Sequence, residues 1–595
     1  MHLQAIDWII ALLSIAVCFV PALFFSKRAG KNTAEFFASG RSVPWWLAGL
    51  SMVATTFSSD TPNLVANFVR TQGVAGNWQW WAFTLTGVAT VFFFARLWRR
   101  SGVLTDLEFY ELRYSGKAAS AVRGFRAVYL GLFFNCIIMA TVNLAACKIA
   151  AVLFGLERWE TLLGVGLLNV AFAAHSGLWG VLVIDMIQFF IKMSAVIAAA
   201  YFAVRLPQVG GLHGLVDKLS QVRGPGGVNY LAMLPDFTNM WDLAFAVFIL
   251  PLTVMWWSVW YPGSEPGGGS YIAQRMLASK SEKDALGGTL FFNVAHYVLR
   301  PWPWILVGLA SLIVYPELSD IQKAFPNVNP ALVGHDIAYP AMLRFLPAGW
   351  MGLMLGGLVA ANSSTILTHL NWGASYLVHD FYRRFINLDA SEQHYVRAGR
   401  GATVLLFVLS SFMVYALDTA QASFNLLLQV GAGTGLLYMV RWYWWRVTAW
   451  CEIVAMVSSF AVSVALLFLA RQGIVFGTAQ GLLITIAITT ICWLVTAYLG
   501  PQTDEFVLDY FYKKVRPFGR GWEPVRQRLG DLEPEPGDSF PLALAGWVSG
   551  CAMIWSALFT VGNFLYGRLD YAVGLLAVFA VSAGVLLQVV RRLWK

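Results

Sequence analysis

Inside the apolar run 45–69, the hydroxyls of Thr55, Thr56, Ser58 and Ser59 stand beside Asp60 and Pro62. Proline supplies no backbone N–H, and its ring clashes with the carbonyl four residues back, here that of Ser58. The helix must therefore break or kink, and the hydroxyls can take up the freed backbone groups. A patched kink is one outcome. The other is an unwound segment whose carbonyls and hydroxyls coordinate a cation or a solute. A kink alone has no need of Asp60, which favours the second. Far along the chain, AANSSTILTHLNWGAS (360–375) puts Ala361, Ser364, Thr365 and Thr368 at i, i+3, i+4 and i+7 of one helix face. A small residue flanked by hydroxyls admits a neighbouring backbone and offers neutral oxygens, which suit a hard monovalent cation such as sodium. The competing reading is a small-residue helix contact whose hydroxyls bond back to their own helix. A third group is Asp185 in GVLVIDMIQFFIK. A carboxylate in an apolar span is a functional candidate, unless it is the partner of Lys148 or Lys192. Those two lysines can instead extend their charged ends toward the interface.

The elements that must position these groups are membrane helices. The chain has 595 residues, 58% hydrophobic and 12% charged, about half the charge of an ordinary soluble domain. Apolar runs long enough to cross a bilayer recur throughout, at 6–25, 45–69, 78–99, 123–153, 159–176, 178–204, 239–262, 286–315, 342–371, 397–417, 421–446, 449–470, 478–500, 540–562 and 570–590. They lack the period-two alternation of a membrane barrel.

The net charge of +9 implies no nucleic-acid partner, because the basic residues follow topology. Lys27, Arg28, Lys31 and Arg41 follow the first span, seven basic residues from Arg96 to Arg126 separate the third and fourth, and Lys513 to Arg528 fill a late loop. Threading these spans puts all of them on one side, the cytoplasmic one, with the N-terminus outside and the C-terminus inside. The first span is preceded by no Lys or Arg, as an uncleaved outside-to-inside anchor requires. The six cysteines all fall within spans and read as packing residues, with no disulfide or metal site. The connectors 205–238, 263–285, 316–341 and 501–539 are too short for a catalytic domain. Gly267–Gly269 lacks the strand and the Lys-Ser/Thr of a phosphate loop and is expected to be a flexible gate or linker. The sequon at Asn362 lies within a span, beyond the reach of glycosylation.

These clusters, in this order, resemble the sodium:solute symporter family of sodium–glucose, sodium–proline and sodium–sialic acid cotransporters. The resemblance covers about residues 37 to 445. It is carried by FFASGRSVPWWLAGLSMVATTFSSD, GLWGVLVIDMIQ, YIAQRMLASKSEKDA, AANSSTILTHLN and ASYLVHDFYRRF. It implies an all-α polytopic fold with a five-plus-five inverted-repeat core, like that of the leucine transporter. The expected organisation is an outside N-terminus, leader helix and cytoplasmic loop over 1–44, a first repeat over 45–204 and a second over 239–446. Accessory helices with a cytoplasmic linker at 501–539 would occupy 447–595. Each repeat should open with a broken helix, the second being LPLTVMWWSVWYPG with Pro251.

By the same resemblance, co-transported sodium would be held by the carbonyls of Ala54, Phe57 and Ala361 and the hydroxyls of Ser364 and Thr365. Asp185 would tune that site, and with Thr368 it could serve a second cation, although Leu367 departs from the pattern. Substrate candidates beside the break are Thr56, Ser59, Asp60, Asn63, Gln79, Trp80, Asn143, Trp256, Trp257, Trp260 and Tyr261. An anionic residue there favours an amine or a polyol over a bare carboxylate. The aromatic side chains could stack on a sugar or hold a cation, whereas most tryptophans of membrane proteins mark the interfaces. The expected function is sodium-coupled symport of a small polar organic solute (sugar, polyol, amino acid or amine) into the cell across the plasma or bacterial inner membrane. No obligate protein partner is implied. A proton-coupled carrier of the same fold, with Asp60 or Asp185 as the proton site, is the alternative. A membrane-embedded enzyme would need companions that His296 and His369 lack, and a transport-like sensor would need an output domain.

Overall fold

The computed structural model describes residues 3–25, 31–417, 419, 424–425, 428–429, 431–530, 532–535 and 538–593. Lys27, Arg28, Lys595 and part of the expected span 421–446 lie outside the described residues. Among the described residues the chain is helical, with no strand and only two isolated bridges, Val43 to Ser279 and Val259 to Ala432. Eleven helices are long and apolar enough to cross a membrane, and Ala5–Phe19 and Trp45–Thr55 are shorter apolar helices. The expected spans 159–176 and 178–204 form one helical run, Arg158–Val204, turned at Gly177, whose φ of 56° favours glycine.

The first core helix is broken where its sequence indicates. It runs Trp45–Thr55, leaves the helical path, and resumes as Asp60–Gln72. Pro62 then falls in the first turn of the second piece, where a missing N–H costs nothing. The helix Trp241–Ser258 passes through π-helical turns at Phe245–Ile249 and Pro251–Met255. Pro251 accounts for the second, because it cannot donate to the α-helical ladder. At Val259 the backbone becomes extended and bridges Ala432.

SEPGGGS is a packed turn, contrary to the flexible linker expected. Gly267 has φ +79°, and a Cβ on it would lie 2.8 Å from the Tyr438 carbonyl oxygen. The turn leads into Ser270–Ala278, every residue of which is buried. What was expected as a cytoplasmic connector thus returns to the core and carries Gln274 and Arg275 with it.

Two helix contacts position the site. The helix Trp350–Ser375 packs against Arg158–Val204 through Gly357, on which a Cβ would meet that of Ala195 at 2.9 Å. The leader helix packs on the N-terminal half of Trp350–Ser375 at Gly352 and Gly356. Its buried Asp7 accepts from the amides of Gly349 and Gly352 at 2.7 and 3.0 Å. A carboxylate there satisfies orphan amides and complements the positive end of the helix dipole.

Candidate functional site

The break between Thr55 and Asp60 turns the carbonyls of Ala54, Thr55 and Phe57 toward Trp350–Ser375. Ser364 Oγ donates to the Ala54 carbonyl at 3.0 Å, and Thr365 Oγ1 donates to the Thr55 carbonyl at 2.7 Å. Both hydroxyls also lie 3.4–3.5 Å from the Ala361 carbonyl oxygen. Ala54, Phe57, Ala361, Ser364 and Thr365 are therefore brought together, across some 300 residues of sequence.

A side-chain amine lies among these oxygens. Lys192 Nζ donates to the Ala54 carbonyl at 2.7 Å, to the Phe57 carbonyl at 3.1 Å and to Ser364 Oγ at 2.8 Å. It also lies 5.0 Å from the centroid of the Phe57 ring. Lys192 is 1% exposed, so it does not extend toward an interface.

The adjoining position is similarly filled. Asp185 Oδ2 accepts from Ser51 Oγ at 2.6 Å and lies 3.7 Å from Arg275 Nη2. The same Arg275 nitrogen donates to Thr368 Oγ1 at 2.7 Å, and Thr368 Oγ1 is 3.0 Å from Thr55 Oγ1. Neither Lys148 nor Lys192 is the ion-pair partner of Asp185. Lys148 pairs with Asp336 at 2.7 Å, and Arg275, from the helix that sequence reasoning took for a loop, takes the role instead.

On the other side of the break lies a small cavity of about 100 Å³, below the usual range of small-molecule sites. Thr56, Asp60, Trp80 and Tyr261 line it, joined by Thr61, Tyr271, His296, Tyr297, Arg300 and His369. Asp60 is bonded locally, to Ser58. Arg300 Nη1 donates to the Val53 carbonyl at 3.3 Å and to Thr56 Oγ1 at 3.2 Å, with its guanidinium over the rings of Phe57 and Trp304. No carboxylate pairs with it among the described residues. Trp80 stacks on Tyr297 at 5.9 Å and Tyr261 on Phe83 at 5.8 Å.

Seven substrate candidates do not line this cavity. Ser59 donates to the Val142 carbonyl at 3.0 Å, and Asn143 accepts from Asn362 at 3.0 Å. Asn63 is fully buried behind the wall. Gln79 donates to Gln72 at 2.6 Å, away from the break. Trp256 packs on Trp547, Trp257 bonds the Thr253 carbonyl, and Trp260 packs on Phe134. The π-helical turns change the register at which Trp256 and Trp257 emerge, and the extended backbone from Val259 sends Trp260 and Tyr261 to opposite sides. Sequence reasoning missed Arg275, Arg300 and the contact made by Lys192. Their basic type in or beside apolar runs was the available signal.

The sequence profile of the sodium:solute symporter family matches residues 36–460. The chain belongs to this family. It is 24% identical over 479 residues to the sodium/glucose cotransporter of Vibrio parahaemolyticus, a match covering 78% of this chain and 86% of that one. It is 25% identical over 435 residues to the human sodium/myo-inositol cotransporter 2, covering 69% and 62%. Its fold is similar to that of a Na+-coupled sialic acid symporter solved in a substrate-bound outward-open state, with TM-score 0.62 and 19% identity over 84% of this chain and 99% of that one. The fold is the all-α, five-plus-five inverted-repeat type, and the chain is an integral membrane transporter, not an enzyme. In this member of the family three of the oxygens at the positions expected for sodium accept from Lys192 Nζ.

Proposed function

We propose that this chain is a secondary active transporter that carries a small polar organic solute, a sugar or polyol foremost, through the cavity beside the break in the first core helix. The observation that carries this is Asp60 at the cavity wall, with Thr56 and Tyr261 beside it and Trp80 stacked on Tyr297 as an apolar face. A carboxylate accepts two hydroxyls of a polyol, and a ring face covers the C–H side of a sugar. The names of relatives, which specify glucose and myo-inositol, support the same class. A second class is favoured by Arg300, a cavity-lining cation with no carboxylate of its own. With Asp60 it could hold a zwitterionic amino acid, the ammonium on Asp60 and the carboxylate on Arg300.

A cation held at the junction of Trp45–Thr55 with Trp350–Ser375 joins the broken helix to its partner and completes the cavity wall. An ion whose binding or release works on that joint is coupled to the solute by one free energy that acts equally on both. The family name supports sodium-driven symport, and the one-sided distribution of Lys and Arg supports an outside N-terminus and a cytoplasmic C-terminus. A proton-coupled carrier is the alternative, and the Lys192 contacts weigh toward it at this junction.

The test is solute counterflow and net uptake in proteoliposomes, with a panel of sugars, polyols, amino acids and amines. Saturable counterflow of a sugar or polyol, lost in Asp60→Asn, is the expected result. A panel in which nothing exchanges would overturn the proposal.

A further inference from the structure

We propose that the cation seat of this carrier is permanently filled by its own side chain: the Lys192 ammonium stands where a sodium ion would, so the junction closes without sodium. This rests on taking the junction of Trp45–Thr55 with Trp350–Ser375 as the cation seat.

The match of donors to acceptors is complete. An ammonium has three N–H groups. Lys192 directs them at three oxygens, at 2.7, 3.1 and 2.8 Å. Two of these belong to the broken helix and one to Trp350–Ser375, so the lysine bonds both sides of the junction as a bound ion would. Its position is set by backbone packing. Gly357 lets the two helices approach until its added Cβ would lie 3.8 Å from the Lys192 Cα. From there the lysine stem spans to the junction.

The charged groups near the amine are Asp185 and Arg300. Asp185, on the same helix, gives Oδ2 to Ser51 and Arg275. The Arg300 guanidinium also lies over the Phe57 ring, at 5.7 Å from its centroid. A buried ammonium removed from its oxygens would be left uncompensated in a dry interior. A sodium ion entering beside it would place two positive charges within a few ångströms of each other at low dielectric. The adjoining position, bounded by Asp185 and Thr368, is held in the same way by Arg275. Both cation positions expected from the sequence thus carry tethered cations.

The experiment compares the melting temperature of the purified full-length protein, and its binding of radioactive sodium, in sodium chloride and in choline chloride at equal ionic strength. The wild type is expected to show no saturable sodium response in either measurement. Lys192→Ala, which uncovers the seat, is expected to gain a saturable sodium-dependent rise in melting temperature, with Lys192→Met as a second variant that keeps the volume and removes the charge. A saturable sodium response of the wild type would overturn the proposal, and this arm holds whether or not the variants fold. A folded Lys192→Ala protein blind to sodium would overturn the assignment of these oxygens as a cation seat. These measurements need no solute, so a failure of the transport panel would sink the proposed function and leave this inference standing.

Discussion

Lys192 Nζ lies 2.7 Å from the Ala54 carbonyl oxygen, with 138 residues of sequence between them. This contact links the end of the first half of a broken helix to Arg158–Val204. It converts a cluster of polar atoms at mid-depth into a joint.

The hydroxyls of Ser364 and Thr365 are the other fastening of that joint, through bonds of 3.0 and 2.7 Å to the Ala54 and Thr55 carbonyls. Ser364→Ala with Thr365→Ala should lower stability by about 1–3 kcal/mol, the usual cost of two net hydrogen bonds. Thermal unfolding in detergent measures the loss. Counterflow should fall more steeply than the melting temperature, because the joint shapes the cavity wall.

Asp185 and Arg275 depend on each other. Asp185→Asn leaves a fully buried guanidinium without its carboxylate, and a broken buried pair costs about 3–5 kcal/mol. Arg275→Gln with Asp185→Asn should recover much of that loss, since the double variant strands no charge. A double-mutant cycle of melting temperatures checks this, and strict additivity of the two substitutions would contradict it.

Asp60 makes its bond to a neighbour in its own segment, Ser58, so it can be changed with little effect on packing. Asp60→Asn should leave the melting temperature within a few degrees of wild type and raise the KM for solute about tenfold, equivalent to about 1.4 kcal/mol. An unchanged KM would remove Asp60 from the substrate site.

Acid stability should depend on Glu108, in the connector between the helices Val74–Ser101 and Gly116–Phe154. Burial alone would raise its carboxyl, but the hydrogen bond and charge of His379, the Leu104 amide and Arg123 together hold it at about 2. The unfolded value is about 4.3. A depressed folded value stabilises fully above the unfolded one, and that contribution fades as pH falls from about 4.3 toward 2. The melting temperature of Glu108→Gln should therefore lie below wild type at neutral pH, and the gap should narrow below pH about 4.3.

Much of this molecule was legible from residue types alone. The apolar runs, the break at Asp60–Pro62 and the face of Ala361, Ser364, Thr365 and Thr368 follow from local chemistry and helical spacing, and the structure joins that break to that face. What was not legible came from register and reach. The tryptophans 256, 257 and 260 looked like a binding surface, yet π-helical turns upstream of the first two and the extended backbone before the third direct them to Trp547, the Thr253 carbonyl and Phe134. Residues 263–285 read as a polar connector because three glycines and several charges lower their apolar content, while Ser270–Ala278 is buried.

The sequence by itself determined that this is a polytopic helical membrane protein whose mid-span polar clusters need partners, because lipid admits only helices whose polar groups find partners nearby. Only the tertiary structure decided which cation fills the joint. A lysine on an apolar helix has a long flexible stem and can reach an interface, a carboxylate or a ring of carbonyls. The close packing at Gly357 selects among these, and no local pattern around Lys192 encodes that contact.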